Sequence, residues 1–124
     1  MQFTKNFSSE EFDCKDGTPI PEIYYKNARA LALNLQILRD HLNTPIIITG
    51  SGYRTLKHNK MVGGAPDSQH LTASAADINA TGYTPKDLAV VIETLIKVGK
   101  MKQGGMGIYK NFLHYDIRGI KARW

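Results

Sequence analysis

An apolar stripe along residues 22–42 constrains the fold more than any other feature of the sequence. Its members recur at spacings of three and four residues: Ala28, Leu31, Leu35, Leu38 and Leu42. That period places them on one face of a helix. A one-sided helix must bury its apolar face against another layer. We therefore predict a long helix over residues 22–42 whose stripe packs on the core rather than on a partner.

The second layer is predicted from short strands. Residues 46–49 form a β-branched run after Pro45, which is typical of a buried strand. Residues 77–79 favour a second strand, and residues 104–109 and 112–117 favour a closing hairpin. These segments predict a small antiparallel sheet.

A second helix is predicted after residue 84. Thr84 can cap it, Pro85 takes the first helical position, and Asp87 lies three residues beyond the cap. Gly99 is expected to end this helix. The order helix, strand, long loop, strand, helix, strand, strand predicts an α+β domain, with the sheet flanked by two main helices. At this length we expect residues 1–124 to form a single domain.

Composition and charge limit the partners. The formal net charge of +5 favours anionic partners. The basic residues are scattered and match no nucleic-acid motif, so we expect no nucleic acid and favour an anionic polymer such as a bacterial cell wall. No stretch approaches the roughly 18 apolar residues of a membrane span, so we expect no membrane insertion. The first seven residues lack the apolar core of a secretory signal. We therefore expect a protein that stays cytoplasmic until another factor releases it to the cell wall or periplasm. We also expect a monomer.

Three residues of the sequence can share one metal ion: His70, Asp77 and His114. The first two are seven residues apart, which suits a loop end followed by a strand, and His114 would come from a distant strand. Two imidazoles and one carboxylate form a common catalytic zinc set with a free fourth position, although other divalent ions accept the same donors. A closed structural site would need more ligands than the single cysteine, Cys14, offers. Spacing alone equally allows a structure without a metal, in which His70 is a loop histidine and His114 a packed core histidine.

Several blocks of sequence resemble one family in their order. They are Ser51-Gly52-Tyr53-Arg54, Val62-Gly63-Gly64-Ala65, Ser68-Gln69-His70, Ala75-Ala76-Asp77-Ile78 and His114-Tyr115-Asp116-Ile117-Arg118-Gly119. Together they strongly resemble the zinc D-Ala-D-Ala carboxypeptidase family, within a superfamily that includes lysostaphin-type enzymes and hedgehog domains. The resemblance runs from about Phe7 to Arg118. It implies one zinc ion held by His70, Asp77 and His114, and hydrolysis of peptidoglycan stem peptides.

Three polar residues near these blocks are candidates for substrate binding. Arg54 can bind a peptide carboxylate through its guanidinium fork, or it can brace its loop. Ser68 can hydrogen-bond substrate, orient His70 or cap a turn. Gln69 can polarise the scissile carbonyl or brace the loop.

The general base is where the sequence departs from the family. Many members carry an acid three residues before the last zinc ligand or a histidine two before it, but Asn111 and Phe112 occupy these positions here. Asp116 is the best local substitute, because it shares a strand face with His114. Asp116 can instead be a hydrogen-bond acceptor that lies behind the metal ligands, or the ion-pair partner of Arg54 or Arg118. Ala73 replaces a glycine usual in the family, and we expect a slightly different loop there because alanine disfavours positive φ.

Taken together, these features predict a zinc peptidase of peptidoglycan stem peptides, D-Ala-D-Ala carboxypeptidase-like and possibly a phage endolysin. Two alternatives stay open. One is an L-Ala-D-Glu endopeptidase of the same fold, which needs a cleft open on both sides of the scissile bond. The other is a catalytically silent zinc-containing module that only binds cell walls.

Overall fold

The computed structural model describes residues 1–124 and has the α+β fold that the sequence predicts. Its helices are α1 (Tyr25–Leu42), α2 (Leu56–Met61) and α3 (Pro85–Lys97). Its strands are β1 (Ile46–Ile48), β2 (Ala75–Ala80), β3 (Gly105–Ile108), β4 (Leu113–Asp116) and β5 (Ala122–Arg123). Short 3-10 turns cover Ser9–Phe12, Glu22–Tyr24 and Gln69–Thr72.

All five strands form one sheet in the order β1-β2-β4-β3-β5. The first four pair antiparallel, as predicted, including the hairpin of β3 and β4. One edge pairing was not predicted: β5 pairs parallel to β3. This strand is only two residues long, too short for its sequence pattern to reveal. It brings the segment after β4 back across the sheet.

Helix α1 carries the predicted stripe. Ala28, Leu31, Ala32, Leu35 and Leu38 are buried in it. Its start is later than predicted, because the first three residues of the segment, Glu22–Tyr24, form a 3-10 turn. The helix ends at Asn43, whose φ of 50° is left-handed, a conformation that asparagine tolerates better than most residues.

Strand β1 and the segment after it differ from the prediction. The strand exists, but Ile47 is half-exposed, because β1 lies at the edge of the sheet and pairs with β2 alone. The predicted long loop between β1 and β2 contains α2 and the turn Gln69–Thr72. Both are too short to show a clear apolar period.

Helix α3 begins and ends as predicted. The Thr84 side chain accepts a hydrogen bond from the Asp87 N–H, the Asp87 carboxylate accepts one from the Thr84 N–H, and Pro85 opens the helix. Gly99 follows its end with a φ of 80°. No helix of the structure is both long enough and apolar enough to span a membrane.

The core and the polar site lie on opposite faces of the sheet. Ile78 of β2 and Leu113 and Tyr115 of β4 join the buried cluster beneath the helices. Because side chains alternate along a strand, their neighbours Asp77 and His114 project from the other face. The register places Asp77 directly opposite His114 on the paired strands.

Candidate metal centre and its cavity

The structure brings together all three predicted ligands. His70 comes from the 3-10 turn before β2, Asp77 from β2 and His114 from β4, and all three are buried. Two of the three therefore sit on the central strand pair, where rigid elements hold geometry well.

The ligand atoms meet at one carboxylate oxygen. Asp77 Oδ1 lies 3.4 Å from His70 Nε2 and 3.4 Å from His114 Nδ1. Zinc bonds to nitrogen and oxygen of roughly 2.0–2.1 Å place the corners of a tetrahedron about 3.3–3.4 Å apart. The spacing of these atoms therefore fits a zinc ion bound between them.

The other ring nitrogens determine the tautomers. His70 Nδ1 lies 2.7 Å from the carbonyl oxygen of Gly52, and His114 Nε2 lies 2.7 Å from Asp116 Oδ2. Both partners are acceptors, so these nitrogens carry the protons. His70 Nε2 and His114 Nδ1 then turn lone pairs toward the Asp77 carboxylate. Three converging acceptor atoms require a cation, and this is the arrangement of metal-binding histidines whose second nitrogen is held by a carboxylate or carbonyl.

The ionisation of the site follows from these contacts. Burial alone would raise the pKa of Asp77, but its contacts with His114 and His70 hold that pKa well below the usual value. Burial alone would lower the pKa of His114, but hydrogen bonds with Asp116 and Asp77 raise it. Without a metal ion, a proton on His114 can take the place of the cation.

Asp116 lies behind His114 and is completely buried. Its carboxylate accepts hydrogen bonds from the Gly105 N–H at 2.8 Å and from Arg118 Nε at 2.9 Å and Nη2 at 2.8 Å, besides its contact with His114. Burial alone would raise the pKa of Asp116, but these bonds hold it well below its usual value. A general base needs a pKa near the working pH. The contacts thus favour the interpretation of Asp116 as an acceptor that orients His114 over that of a base.

Arg54 lies at the edge of the site and is braced by its own loop. Its Nε donates to Ser51 Oγ at 2.9 Å and its Nη1 to Asn59 Oδ1 at 3.2 Å, while Nη2 lies 3.6 Å from Asp77 Oδ2. Gly64 packs so closely that any Cβ there would collide with the Asn59 side chain. A guanidinium has five N–H donors, so the braced group keeps donors for a substrate carboxylate.

Ser68 and Gln69 both line the cavity in front of the ligands. Ser68 Oγ accepts a hydrogen bond of 3.2 Å from the His70 N–H and so caps the turn that presents His70. Ala73 ends this turn with a φ of 58°. The chain therefore takes the left-handed conformation at Ala73 without a glycine, and a loop slightly different from that of the family stays a prediction.

A cavity of about 510 Å³ opens over the three ligands. One side, which we call the polar wall, is built from the segment 54–69 and carries Arg54, Ser68, Gln69 and an acid, Asp67. The other side, the aromatic wall, carries Tyr109, Phe112, Arg118 and Trp124.

Trp124 holds the aromatic wall together. Its indole lies 4.9 Å from the His114 ring, its Nε1 donates to the Tyr109 hydroxyl at 2.8 Å, and Arg118 stacks over it at 5.5 Å. The indole packs directly on Gly107, where any Cβ would collide with it. Sequence reasoning left Trp124 without a role. The one local signal is the Gly104-Gly105-Met106-Gly107 run, because glycines allow close backbone approach.

Two histidines and one carboxylate at the base of an open cavity are typical of a catalytic metal site, which keeps a coordination position free. The family model of Peptidase M15 matches residues 5–116. The chain therefore belongs to the peptidase M15 family, the zinc D-Ala-D-Ala carboxypeptidase-like metallopeptidases, and the resemblance seen in the sequence is confirmed. Membership of this family indicates that the chain is a zinc peptidase acting on peptidoglycan-type substrates. No curated protein and no solved structure gives a significant match.

Proposed function

We propose that this chain is a zinc-dependent D-Ala-D-Ala carboxypeptidase that acts on peptidoglycan stem peptides. The observation that carries the proposal is the convergence of His70 Nε2 and His114 Nδ1 on Asp77 Oδ1, beside an arginine that lines the same cavity. A carboxypeptidase must recognise a free carboxylate, and Arg54 supplies a cation with spare donors. The net charge of +5 supports the wider proposal of a phage or prophage endolysin released to the cell wall, because it favours encounter with an anionic polymer.

His70, Asp77 and His114 would hold the ion. When bound in such a site, zinc lowers the pKa of water to roughly 7 and polarises a carbonyl oxygen. Arg54 binds the terminal carboxylate of the stem peptide and so places the scissile bond over the ligands. Ser68 holds the turn that presents His70. Gln69 lines the cavity, where it would polarise the scissile carbonyl. Asp116 keeps the proton of His114 on Nε2, so that Nδ1 stays free to bind the ion.

Proton transfer requires a group that can reach the substrate. Asp116 does not line the cavity, and its oxygens are occupied by Arg118, Gly105 and His114. Asp67 is exposed, and it is the only carboxylate other than the ligand Asp77 that lines the cavity. Asp67 is therefore a better-supported proton acceptor than Asp116, which the sequence favoured.

A pair of asparagine variants separates these roles. If Asp67 accepts the proton, Asp67→Asn lowers kcat by roughly 10²–10⁴-fold with unchanged zinc affinity. If Asp116 only orients His114, Asp116→Asn weakens zinc binding by about 10–100-fold and regains activity at high zinc concentration. Full activity of Asp67→Asn, with Asp116→Asn inactive at saturating zinc, would restore the base role to Asp116.

The proposed function is tested by digesting purified peptidoglycan with the zinc-loaded protein and reading the products by mass spectrometry. Loss of one terminal alanine from pentapeptide stems is the expected result, and His70→Ala is the inactive control. Stem peptides cut between L-Ala and D-Glu would replace the carboxypeptidase by the endopeptidase. Binding of the wall without any product, with zinc fully bound, would support the silent binding module instead.

A further inference from the structure

A second group of metal-binding side chains lies outside the cavity. The chain contains two clusters whose potential ligand atoms all lie within 4.8 Å of one another. One is His70, Asp77 and His114, and the other is Cys14, Asp16 and His58. The second cluster meets the same distance criterion as the first, although its members come from an N-terminal turn and from α2.

Hydrogen bonds hold the second cluster in place before any ion binds. The Cys14 N–H donates to the Thr18 carbonyl at 2.9 Å, which closes the turn that carries Cys14 and Asp16. Asp16 Oδ1 accepts a bond of 2.9 Å from the Thr18 N–H, and Asp16 Oδ2 accepts one of 2.9 Å from the Thr55 hydroxyl.

The same threonine connects the turn to the histidine. Thr55 caps α2, and its hydroxyl oxygen accepts a bond of 3.1 Å from the His58 N–H. The His58 imidazole itself makes no hydrogen bond to the rest of the chain, so both of its nitrogens are available. Thr55 therefore places a carboxylate and an uncommitted imidazole next to the buried Cys14 thiol.

The donor set determines the kind of ion. A thiolate, an imidazole and a carboxylate together suit zinc and similar transition metals, whereas magnesium and calcium prefer oxygen ligands alone. A cavity of about 440 Å³ opens beside Asp16, although neither Cys14 nor His58 lines it. Lys57 also lines this cavity, and its positive charge opposes a cation. The site is therefore expected to bind more weakly than the buried one.

We propose that Cys14, Asp16 and His58 form a second metal site that takes a thiophilic divalent cation such as zinc. Binding displaces the thiol proton of Cys14 to solvent. The ion would tie the N-terminal turn to α2. Asn59 of α2 holds both the guanidinium of Arg54 and the carbonyl of Ala65, so an ion at this site braces the base of the polar wall. This proposal does not depend on the peptidase activity.

Cobalt(II) titration of the full-length protein tests the site, because Cys14 is the only cysteine and only this site can give a thiolate-to-cobalt charge-transfer band. The band is expected to grow with the second equivalent of cobalt. In His58→Gln the cobalt affinity read from this band is expected to fall at least about tenfold. Loss of a residue that only supports a metal ligand already costs about that much, and His58 would be a ligand itself. In His70→Gln the band appears with the first equivalent. His41→Gln changes an exposed histidine of α1 and is the matched control.

Two results would overturn the proposal. One is the absence of a charge-transfer band when cobalt is in excess and the buried site is filled. The other is a band whose apparent affinity is the same in His58→Gln as in the unchanged protein. A Cys14→Ser variant would also remove the band, but Cys14 is buried and its substitution can unfold the protein. His58 is only partly buried, so its variant keeps the test valid. Circular dichroism checks the fold of each variant.

Discussion

The polar wall and the aromatic wall of the cavity arise in different ways. The polar wall is continuous in sequence, between residues 54 and 69, and its side chains are held by local hydrogen bonds such as Arg54 to Ser51 and Asn59. The aromatic wall is assembled from the β3–β4 hairpin and from Trp124, which follows β5. The difference shows that one half of a site can be coded by neighbouring residues while the other depends on the completed sheet.

Both walls depend on the ligands between them, so the largest effect is expected from removing one of those. His114→Ala deletes a zinc ligand and the group on which Trp124 rests. Metal-ion catalysis contributes several kcal/mol, which corresponds to a loss of about 10³-fold or more in kcat/KM. Bound zinc, measured by mass spectrometry of the native protein, should fall in parallel. His41→Ala serves as control, and an active, zinc-free His114→Ala would contradict the proposed site.

A guanidinium substitution tests the polar wall. A hydrogen bond to a charged group contributes about 1.5–3 kcal/mol, so Arg54→Lys should lower kcat/KM by roughly 10–100-fold on a peptide with a free terminal carboxylate. The same peptide ending in a carboxamide should be a poor substrate of both proteins, with little difference between them. Equal losses on the two peptides would mean that Arg54 braces its loop and does not read the carboxylate.

A single methyl group tests the aromatic wall. In Gly107→Ala the new Cβ meets the Trp124 indole and must displace it. We expect a decrease of about fivefold in kcat/KM, equivalent to the roughly 1 kcal/mol of an aromatic contact, with zinc retained. Trp124 is the only tryptophan, so its fluorescence reports the displacement directly. Ile108→Ala, at the exposed neighbour, is the control. Unchanged kinetics with a displaced indole would remove the aromatic wall from the substrate site.

The smallest expected effect concerns how the aromatic wall is attached. Arg123 of β5 donates to both carboxylate oxygens of Glu93 on α3, at 3.0 and 2.7 Å, and this bond lowers the pKa of Glu93. Because this pKa is lower in the folded protein, the pair stabilises the fold at a pH above the unfolded-state pKa of about 4.3. This stability is lost as the pH falls through the folded-state pKa.

Glu93→Gln should therefore cost at most about 1 kcal/mol at neutral pH, since the pair is partly exposed, and nothing at a pH below the folded-state pKa. Urea unfolding at pH 7 and in acid measures the difference. A cost that persists undiminished in acid would show that Glu93 acts by packing rather than by charge.

The two walls also show how much the sequence can predict. His70, Asp77 and His114 were predictable because their spacing and the neighbouring blocks are distinctive, and α3 was predictable because Thr84, Pro85 and Asp87 are local signals. Trp124 was not, because its role depends on the parallel pairing of β5 with β3, which involves residues distant in sequence. The choice between a base and an acceptor for Asp116 depended on Arg118 and Gly105, whose contacts exist only in the folded chain.

Anomalous diffraction from crystals of the zinc-loaded protein tests the central claim most directly. The account predicts a zinc peak at bonding distance, roughly 2.0–2.2 Å, from His70 Nε2, Asp77 Oδ1 and His114 Nδ1, at the base of the cavity between the two walls. A crystal of active, zinc-loaded protein with no peak among these three atoms would contradict it.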